Sequence, residues 1–492
     1  MRPLEGILLG MVTIALLARW LRPRNRQTTA SLLGMLVILF ALHLFFDGAR
    51  WTMLFVYGLV VVAVVVFAGD LRRIAHARAG ESSRWKAVPS PARRVVTGLA
   101  LLAAVVLGWF LPAWLLPRVT FPRPDGLYQV GRLDVYWVDS TREEVHTPEA
   151  GDRRGVLVSF WYPAESPNGR ALRYHPQGRQ LAADVAAAQG LPGFFFWNLT
   201  RARTHATQAP RFSIRQGRAP LLLFSHGFEG TRVQNTFEFE TLASHGYVIA
   251  SIEHPYASIG TRLPDGRHVP SAGRGLLAGV QRDALLDEWA RDAAFVLDRL
   301  HALPVRDLSD SLAGHLQLDR IGYFGHSLGG IVAAEVMVRD PRVKAGVNMD
   351  GNPFGRALER GVNGPFLVFT SRLPDVSRIP DAVLESENIT RDSLARALQA
   401  RDTNVAALLQ RGGTEFRLEG AVHQSFSDFP LWSPTLARRA GIAGPDDPRG
   451  IHAAVTTLTL RFFDQYLLGR TRQQSVNLPS NVQVRTIRHE PR

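Results

Sequence analysis

Residues Arg320–Val338 read RIGYFGHSLGGIVAAEVMV, and the rest of the chain is understood outward from them. IGYF is a short apolar run of the kind that forms a buried strand, and LGGIVAAEVMV is an apolar stretch suited to a helix packed on a sheet. Between them Gly325-His326-Ser327-Leu328-Gly329 has the spacing G-x-S-x-G. That spacing sets a serine on a sharp strand-to-helix turn with strained backbone, where side chains at the glycine positions would collide with neighbouring elements. With 43 glycines in 492 residues, chance alone supplies on the order of 0.2 copies of the pattern. A strand before it and a helix after it are what a chance match in a loop would lack. Ser327 is therefore a candidate nucleophile. The Leu328 N–H at the start of the helix is a candidate donor to an oxyanion.

On either side of this stretch, strand-like and helix-like segments alternate. Pro220–Phe224, Tyr247–Ile252, Arg320–Phe324, Val343–Met349, Pro365–Thr370 and Glu415–Leu418 read as buried parallel strands, with helices over Asp283–Leu300 and Leu328–Val338 between them. Tyr128–Val138 and Val156–Trp161 read as an antiparallel opening hairpin. The order predicts a doubly wound, mostly parallel α/β sheet. Two insertions, Ala171–Gly217 and Pro374–Gln410, read as partly helical cap or lid material. The run Phe194-Phe195-Phe196-Trp197 within the first reads as a buried aromatic cluster, or else as a wall facing lipid or substrate. A last helix over Ile451–Leu468 leads into a polar tail, residues 471–492.

A nucleophilic serine needs a base, and in sheets of this kind the chain order is nucleophile, acid, histidine. Downstream of Ser327 lie His423, His452 and His489. His452 falls inside the last helix and His489 in the tail, whereas His423 follows a strand at the carboxyl edge of the sheet, where a base can reach the nucleophile. The acid is Asp350 or Asp375, each just past a strand; Asp350, one residue past its strand, is favoured by spacing over Asp375, five past. The second oxyanion donor is expected from Phe228, where Gly227 lets the chain turn after LLLFS. His226 reads as structural, and Glu253-His254-Pro255 as a lining or hydrogen-bonding element.

The first 118 residues differ in composition from the remainder of the chain. Residues 27–46, 51–69 and 95–117 contain no Asp, Glu, Lys or Arg, and each is near the ~20 residues needed to cross a bilayer. A fourth candidate span near residues 4–21 includes only 13 uncharged residues between Glu5 and Arg19, so it crosses if those charges snorkel. Eleven basic residues lie in the two loops after the first and third segments, against four on the other side. The positive-inside rule places those loops in the cytoplasm and the bulk of the chain outside. The two loops hold +9 of the net charge of +14, so topology and anionic headgroups account for the basicity, and nucleic acid is not an expected partner. Only Lys86 and Lys344 among 57 basic residues are lysines, an arginine bias that points to a GC-rich bacterial genome and so to a bacterial inner membrane. The absence of cysteine excludes disulfides, thiolate metal sites and a thiol nucleophile.

Five blocks, VGRLDVYWVDSTREE with VLVSFWYPAE, LLLFSHGFEGTRVQNTFEFETLASHGYVIASIEHPYAS, YFGHSLGGIVAAEV, GVNMDGNPFG and GAVHQSFSDF, occur in an order and spacing that resembles the plasma-type platelet-activating-factor acetylhydrolase family. The resemblance covers roughly residues 125–470 and implies an α/β-hydrolase fold. It implies a serine esterase, independent of cofactor and calcium, that cleaves short or oxidised acyl groups from phospholipids. It marks Ser327 as nucleophile, Asp350 as acid, His423 as base, and Phe228 and Leu328 as the oxyanion positions. The expectation is therefore a hydrolase domain over residues 119–470 behind an all-α region of about four membrane helices over 1–118. Its expected partners are a lipid or lipophilic ester and the membrane, with no cofactor and no metal. Non-lipid or polyester-like esters are the alternative substrates. A non-catalytic membrane-anchored binding or sensor module is the alternative of another class; it would be signalled by loss of a triad member, and none is missing.

Overall fold

The structure, a computed structural model, describes residues 3–21, 25–47, 53–78, 103, 106 and 118–490, apart from 166–168, 191–192, 209, 214, 216, 303–311, 313, 374, 380, 387–388, 440, 471–477 and 481. The chain divides into two compact units, Met1–Arg118 and Val119–Arg492.

In the first unit, α1 (Pro3–Leu21), α2 (Arg26–Asp47) and α3 (Leu54–Arg78) pack through Leu8, Leu9, Val12, Leu36, Val56, Val60 and Phe67. Arg19 Nε donates to Asp70 Oδ2 at 2.8 Å, and His43 Nε2 and Tyr57 Oη lie 2.8 Å apart. The first contact joins the carboxyl-terminal portions of α1 and α3, and the second joins the end of α2 to the start of α3, as an up-down-up bundle requires. Two stretches, residues 26–46 and 55–75, have mean hydropathies of 2.2 and 2.0 and are long and apolar enough to cross a membrane. Ile38, Phe45, Phe46, Phe55, Val61 and Val65 face outward on them. The expected span over 95–117 lies outside the described residues apart from two isolated positions.

The second unit is built on a ten-stranded sheet in the order β12-β11-β10-β9-β8-β4-β5-β2-β1-β3. Its centre is β4 (Ala219–Ser225), β5 (Val248–Glu253), β8 (Leu316–His326), β9 (Val343–Met349), β10 (Phe366–Ser371) and β11 (Gly413–Leu418), all mutually parallel. The hairpin β1 (Gln129–Glu143) and β2 (Arg153–Ala164) adds antiparallel to β5, and the two-residue β3 (Thr207–Gln208) pairs with β1. A small separate hairpin is formed by β6 (Gly260–Arg262) and β7 (His268–Pro270).

Successive strand residues point to opposite faces, and both faces are buried. Leu221, Leu223, Ile321, Tyr323, Phe366 and Val368 meet the helices Gly279–Ala302 and Leu328–Arg339 on one side. On the other, Leu222, Phe224, Phe324, Leu367 and Phe369 meet the helices Thr236–Ser244 and Pro448–Leu468. Burial on both faces is why these strands read as continuous apolar runs rather than alternating ones. This is the expected doubly wound α/β arrangement.

The stretch expected as a polar tail differs from expectation. Its residues Val484–His489 form β12, which pairs antiparallel with β11 at the sheet edge. His489 accordingly sits beside Glu415, with Nε2 3.6 Å from the carboxylate. Both insertions are partly helical, with helices Gly178–Ala188 in the first and Asp381–Ser386 and Arg391–Leu408 in the second. Within the aromatic run, Phe196 packs half-buried against the core on the Leu222 and Phe224 face of the sheet; the side chains of Phe194 and Phe195 lie outside the described residues.

Candidate active site

Ser327 stands between the end of β8 and the helix Leu328–Arg339 with φ 54° and ψ −122°. This is the left-handed side of backbone space, which a non-glycine residue occupies only when its surroundings hold it there. Its N–H donates to Met349 O at 2.8 Å, so the end of β9 pins the turn. The flanking glycines are needed because the turn folds back onto main chain. A Cβ on Gly325 would overlap the Gly329 carbonyl, and one on Gly329 would overlap the carbonyls of Ser225 and His226. Gly329→Ala is thus expected to destabilise the unit by about 3 kcal/mol, the scale of overpacking against atoms that cannot move aside. Gly275→Ala, where a Cβ meets nothing, is expected to stay within about 0.5 kcal/mol. Chemical denaturation followed by tryptophan fluorescence separates the two.

The structure brings Ser327, His423 and Asp350 together. His423 Nε2 lies 3.0 Å from Ser327 Oγ, and its Nδ1 lies 2.8 Å from Asp350 Oδ2. The Asp350 carboxylate can only accept, so the ring proton sits on Nδ1 and Nε2 is free to accept from the serine hydroxyl. All three residues lie past the carboxyl ends of parallel strands, the edge at which sheets of this kind bind ligands. His423 is nearly half exposed, with 46% of its side-chain surface accessible, whereas Asp350 retains only 5%. Ser327 and His423 can therefore be approached from solvent while Asp350 stays dry.

Asp350 is held from several directions. Its Oδ1 accepts from Ser371 N at 2.7 Å, its Oδ2 from Ser371 Oγ at 2.8 Å, and Arg401 Nη1 lies 3.6 Å from Oδ1. Burial pushes this carboxyl up, but the His423 hydrogen bond and charge, the Ser371 N–H and the Arg401 guanidinium together outweigh it and hold it below the usual carboxylate range. Arg401 belongs to the helix Arg391–Leu408, so the second insertion packs against Asp350. Asp375, the competing choice from spacing, instead accepts from Ser377 N and Oγ at 3.1 and 2.7 Å and caps its own turn.

Leu328 follows Ser327 in the chain, and Phe228 follows Gly227. A Cβ on Gly227 would come 3.3 Å from Ser327 Cβ, so the turn that carries the Phe228 N–H runs directly against Ser327. Leu328 is the first residue of its helix, where N–H groups have no intrahelical acceptor. His226 supports this turn: Nδ1 donates to Gly227 O at 2.7 Å and Nε2 accepts from His254 N at 3.3 Å. Burial pushes the His226 ring down to about 4, and it stays neutral in both roles. His452 donates to Ser427 O at 2.9 Å and stacks on Phe237 at 3.8 Å.

Three features have no counterpart in the sequence reading. Ser371 and Arg401 hold the Asp350 carboxylate. Gln234 and His326 link Gly227 to the main chain of His423. A second Ser-His-Asp series also lies beneath the site: Ser225 Oγ is 2.9 Å from His254 Nε2, and His254 Nδ1 is 2.9 Å from Asp292 Oδ2. Its three members are fully buried, so no substrate reaches that serine. Asp292 also pairs with Arg154 and Arg142, which marks it as the centre of a structural ion network.

Among the described residues, no group of three or more His, Cys, Asp or Glu side chains has the arrangement of a metal site. The arrangement at Ser327 suits attack on an ester carbonyl through an acyl-enzyme.

Comparisons with known proteins agree with that chemistry. A platelet-activating factor acetylhydrolase of Bos taurus is 24% identical over 360 residues, which cover 67% of this chain and 71% of that one. A probable 1-alkyl-2-acetylglycerophosphocholine esterase of Arthroderma benhamiae is 30% identical over 262 residues, 49% of this chain and 62% of that one. Among solved structures, a ferulic acid esterase from Streptomyces cinnamoneus superposes with a TM-score of 0.56 at 26% identity, covering 73% of this chain and 97% of that one. The family described as platelet-activating factor acetylhydrolase, isoform II, matches residues 115–264 and 303–484, more than half of the chain. With fold, site geometry and relatives in agreement, the chain belongs to this family of ester hydrolases.

Proposed function

We propose that the protein is a membrane-anchored serine esterase that hydrolyses short or oxidised acyl esters of phospholipids, with Ser327 as nucleophile, His423 as base and Asp350 as acid. The observation that carries this reading is the unbroken hydrogen-bond series from Ser327 Oγ through His423 to Asp350. His423 takes the serine proton as Oγ attacks the ester carbonyl, and Asp350 stabilises the imidazolium that forms. The Phe228 and Leu328 N–H groups receive the charge that develops on the carbonyl oxygen. His423 then returns its proton to the leaving alkoxide, and water, activated by the same ring, resolves the acyl-enzyme.

Phospholipid as substrate is supported by the names of the bovine and fungal relatives and by the apolar helices, which would hold the enzyme beside its substrate. A catalytic unit outside the cytoplasm, at a bacterial inner membrane, is supported by the arginine-rich loops of the N-terminal region. A second reading, a non-lipid ester, is favoured by the solved ferulic acid esterase.

The deciding assay uses the full chain in detergent on nitrophenyl esters from acetate to palmitate, then on phosphatidylcholines with acetyl or palmitoyl at the second position, and on methyl ferulate. Steep preference for acetyl in both the nitrophenyl and the phospholipid series is the expected result. Turnover of methyl ferulate with none of either phospholipid would overturn the lipid reading. Protease added to sealed inside-out vesicles is expected to leave Val119–Arg492 intact; digestion there would reverse the orientation.

A further inference from the structure

We propose that Gln234 is a positioning residue for catalysis, its side-chain amide joining the oxyanion turn to the histidine loop through His326. The inference rests on the reading of Ser327, His423 and Asp350 as the catalytic set.

Three hydrogen bonds run in series. Gly227 N–H donates to Gln234 Oε1 at 3.2 Å, Gln234 Nε2 donates to His326 Nδ1 at 2.7 Å, and His326 Nε2 donates to the His423 carbonyl oxygen at 2.9 Å. The series starts one residue before the Phe228 donor, passes through the residue beside the nucleophile and ends on the main chain of the base. Each link fixes the next. Only the amide oxygen can accept from Gly227, so the NH2 group must face His326. His326 Nδ1 must then be unprotonated, which puts the ring proton on Nε2, where His423 O accepts it. Gln234 is 1% exposed and His326 2%, so water cannot substitute for a missing partner.

The surrounding chain is built around this amide. A Cβ on Gly230 would overlap Gln234 Oε1, so the turn leaves room for it. The histidine loop also hangs from the same segment: Asp428 N donates to Gln234 O at 2.8 Å, Asn235 Nδ2 donates to Phe426 O at 2.8 Å, and Asp428 accepts from Thr236 N and Phe237 N at 2.9 and 3.2 Å. Those bonds place the loop as a whole. The series through His326 is the one that ends on His423 itself and so sets the approach of its Nε2 to Ser327. Burial, joined by the neighbouring His423, holds the His326 ring neutral, with its pKa pushed down to about 3, so the series does not switch at working pH. The charged or titratable groups facing it are His423, whose ring centroid is 4.7 Å away, and Asp350 behind that ring.

The test compares Gln234→Met and Gln234→Glu with the parent, each as the full chain in detergent, by kcat and KM for nitrophenyl acetate between pH 5 and 9. Gln234→Met keeps the length but makes neither bond, and is expected to lower kcat about 10- to 100-fold with little change in KM, the cost of a base displaced by a fraction of an ångström. Glutamate at this position reproduces both bonds when protonated, its carbonyl oxygen accepting from Gly227 and its hydroxyl donating to His326. Ionised, it has no proton to donate. Burial raises its titration toward the working range, so the ratio of variant to parent kcat is expected to fall as pH rises. A merely structural role would not give that dependence. If Gln234→Met fails to fold, Gln234→Glu decides alone. A pH-independent Gln234→Glu ratio, or folded Gln234→Met with kcat within threefold of the parent, would overturn the proposal. Ser327→Ala in parallel tests the underlying reading: activity surviving there would sink the catalytic set itself.

Discussion

Ser327→Ala is expected to lower kcat/KM for nitrophenyl acetate by about 10^5- to 10^6-fold and to leave the fold unchanged. The stability half of this expectation follows from backbone geometry. Residue 327 already carries a Cβ at φ 54°, so alanine introduces no new strain, and its N–H still donates to Met349 O. The bond that disappears is the one from Oγ to His423, on a ring already nearly half exposed to water. The activity half follows from the absence of a substitute. Ser225 has the same kind of partners in His254 and Asp292, but it is 0% exposed and shares its hydroxyl with Tyr323 at 2.7 Å. Residual turnover would come from the Phe228 and Leu328 N–H groups, which still polarise a carbonyl for attack by water. Thermal unfolding within a degree or two of the parent, together with the loss of turnover, would locate the chemistry at Oγ. Retention of more than about one part in a hundred of the activity would mean that a different group attacks.

The parallel strands and the strand-to-helix turn were legible because their causes are local. A strand buried on both faces must be apolar throughout, and a serine on a turn pressed against main chain must have glycines beside it. What was not legible depends on partners distant in the sequence. β12 has the sequence VRTIRH, with no apolar run, because it lies at the sheet edge with half its side chains in water. Its strand character comes from pairing with β11. β8 begins at Leu316, before the apolar run, because Leu316 and Gln317 pair with Ala219 and Pro220 ahead of a register shift. Neither pairing leaves a pattern in composition.

The same division runs through the site. Ser327 and His423 could be chosen from local chemistry and chain order. Spacing and the family resemblance already favoured Asp350 over Asp375; in the folded sheet Asp350 lies 2.8 Å from His423 Nδ1, whereas Asp375 caps its own turn. Ser371, Arg401 and Gln234 are ordinary polar residues at unremarkable spacings. They matter through bonds to groups 21, 51 and 92 positions away, as differences between residue numbers in the contacts with Asp350 and His326 show. Only the folded sheet edge brings those partners together.

Asp350→Asn is expected to lower kcat about 10^4-fold, with Asp375→Asn within threefold of the parent. The magnitude comes from which way the new amide must face. Oδ1 of Asp350 accepts from the main-chain N–H of Ser371, and a main-chain N–H cannot reverse. The oxygen of the substituted amide must therefore take that position, which turns its NH2 group toward His423 Nδ1. The ring nitrogen, formerly a donor, now has to accept, and its proton moves to Nε2, where it faces Ser327 Oγ and cannot receive the serine proton. Asparagine tolerates the left-handed backbone of this position, φ 58°, about as well as aspartate does, so backbone strain is not the cause of the loss. The stability of the variant should also report the lost charge. The Asp350 carboxyl is held below its unfolded value of about 3.9, so the native state binds fewer protons there than the unfolded state does. Its contribution is fully present above that value and is lost as pH falls through the lower folded value. The gap in unfolding temperature between parent and Asp350→Asn should accordingly be widest near neutral pH and narrow below about pH 4. If Asp375→Asn rather than Asp350→Asn removed activity, the acid would have been assigned to the wrong strand, and the bond between Asp350 and His423 would be a structural one.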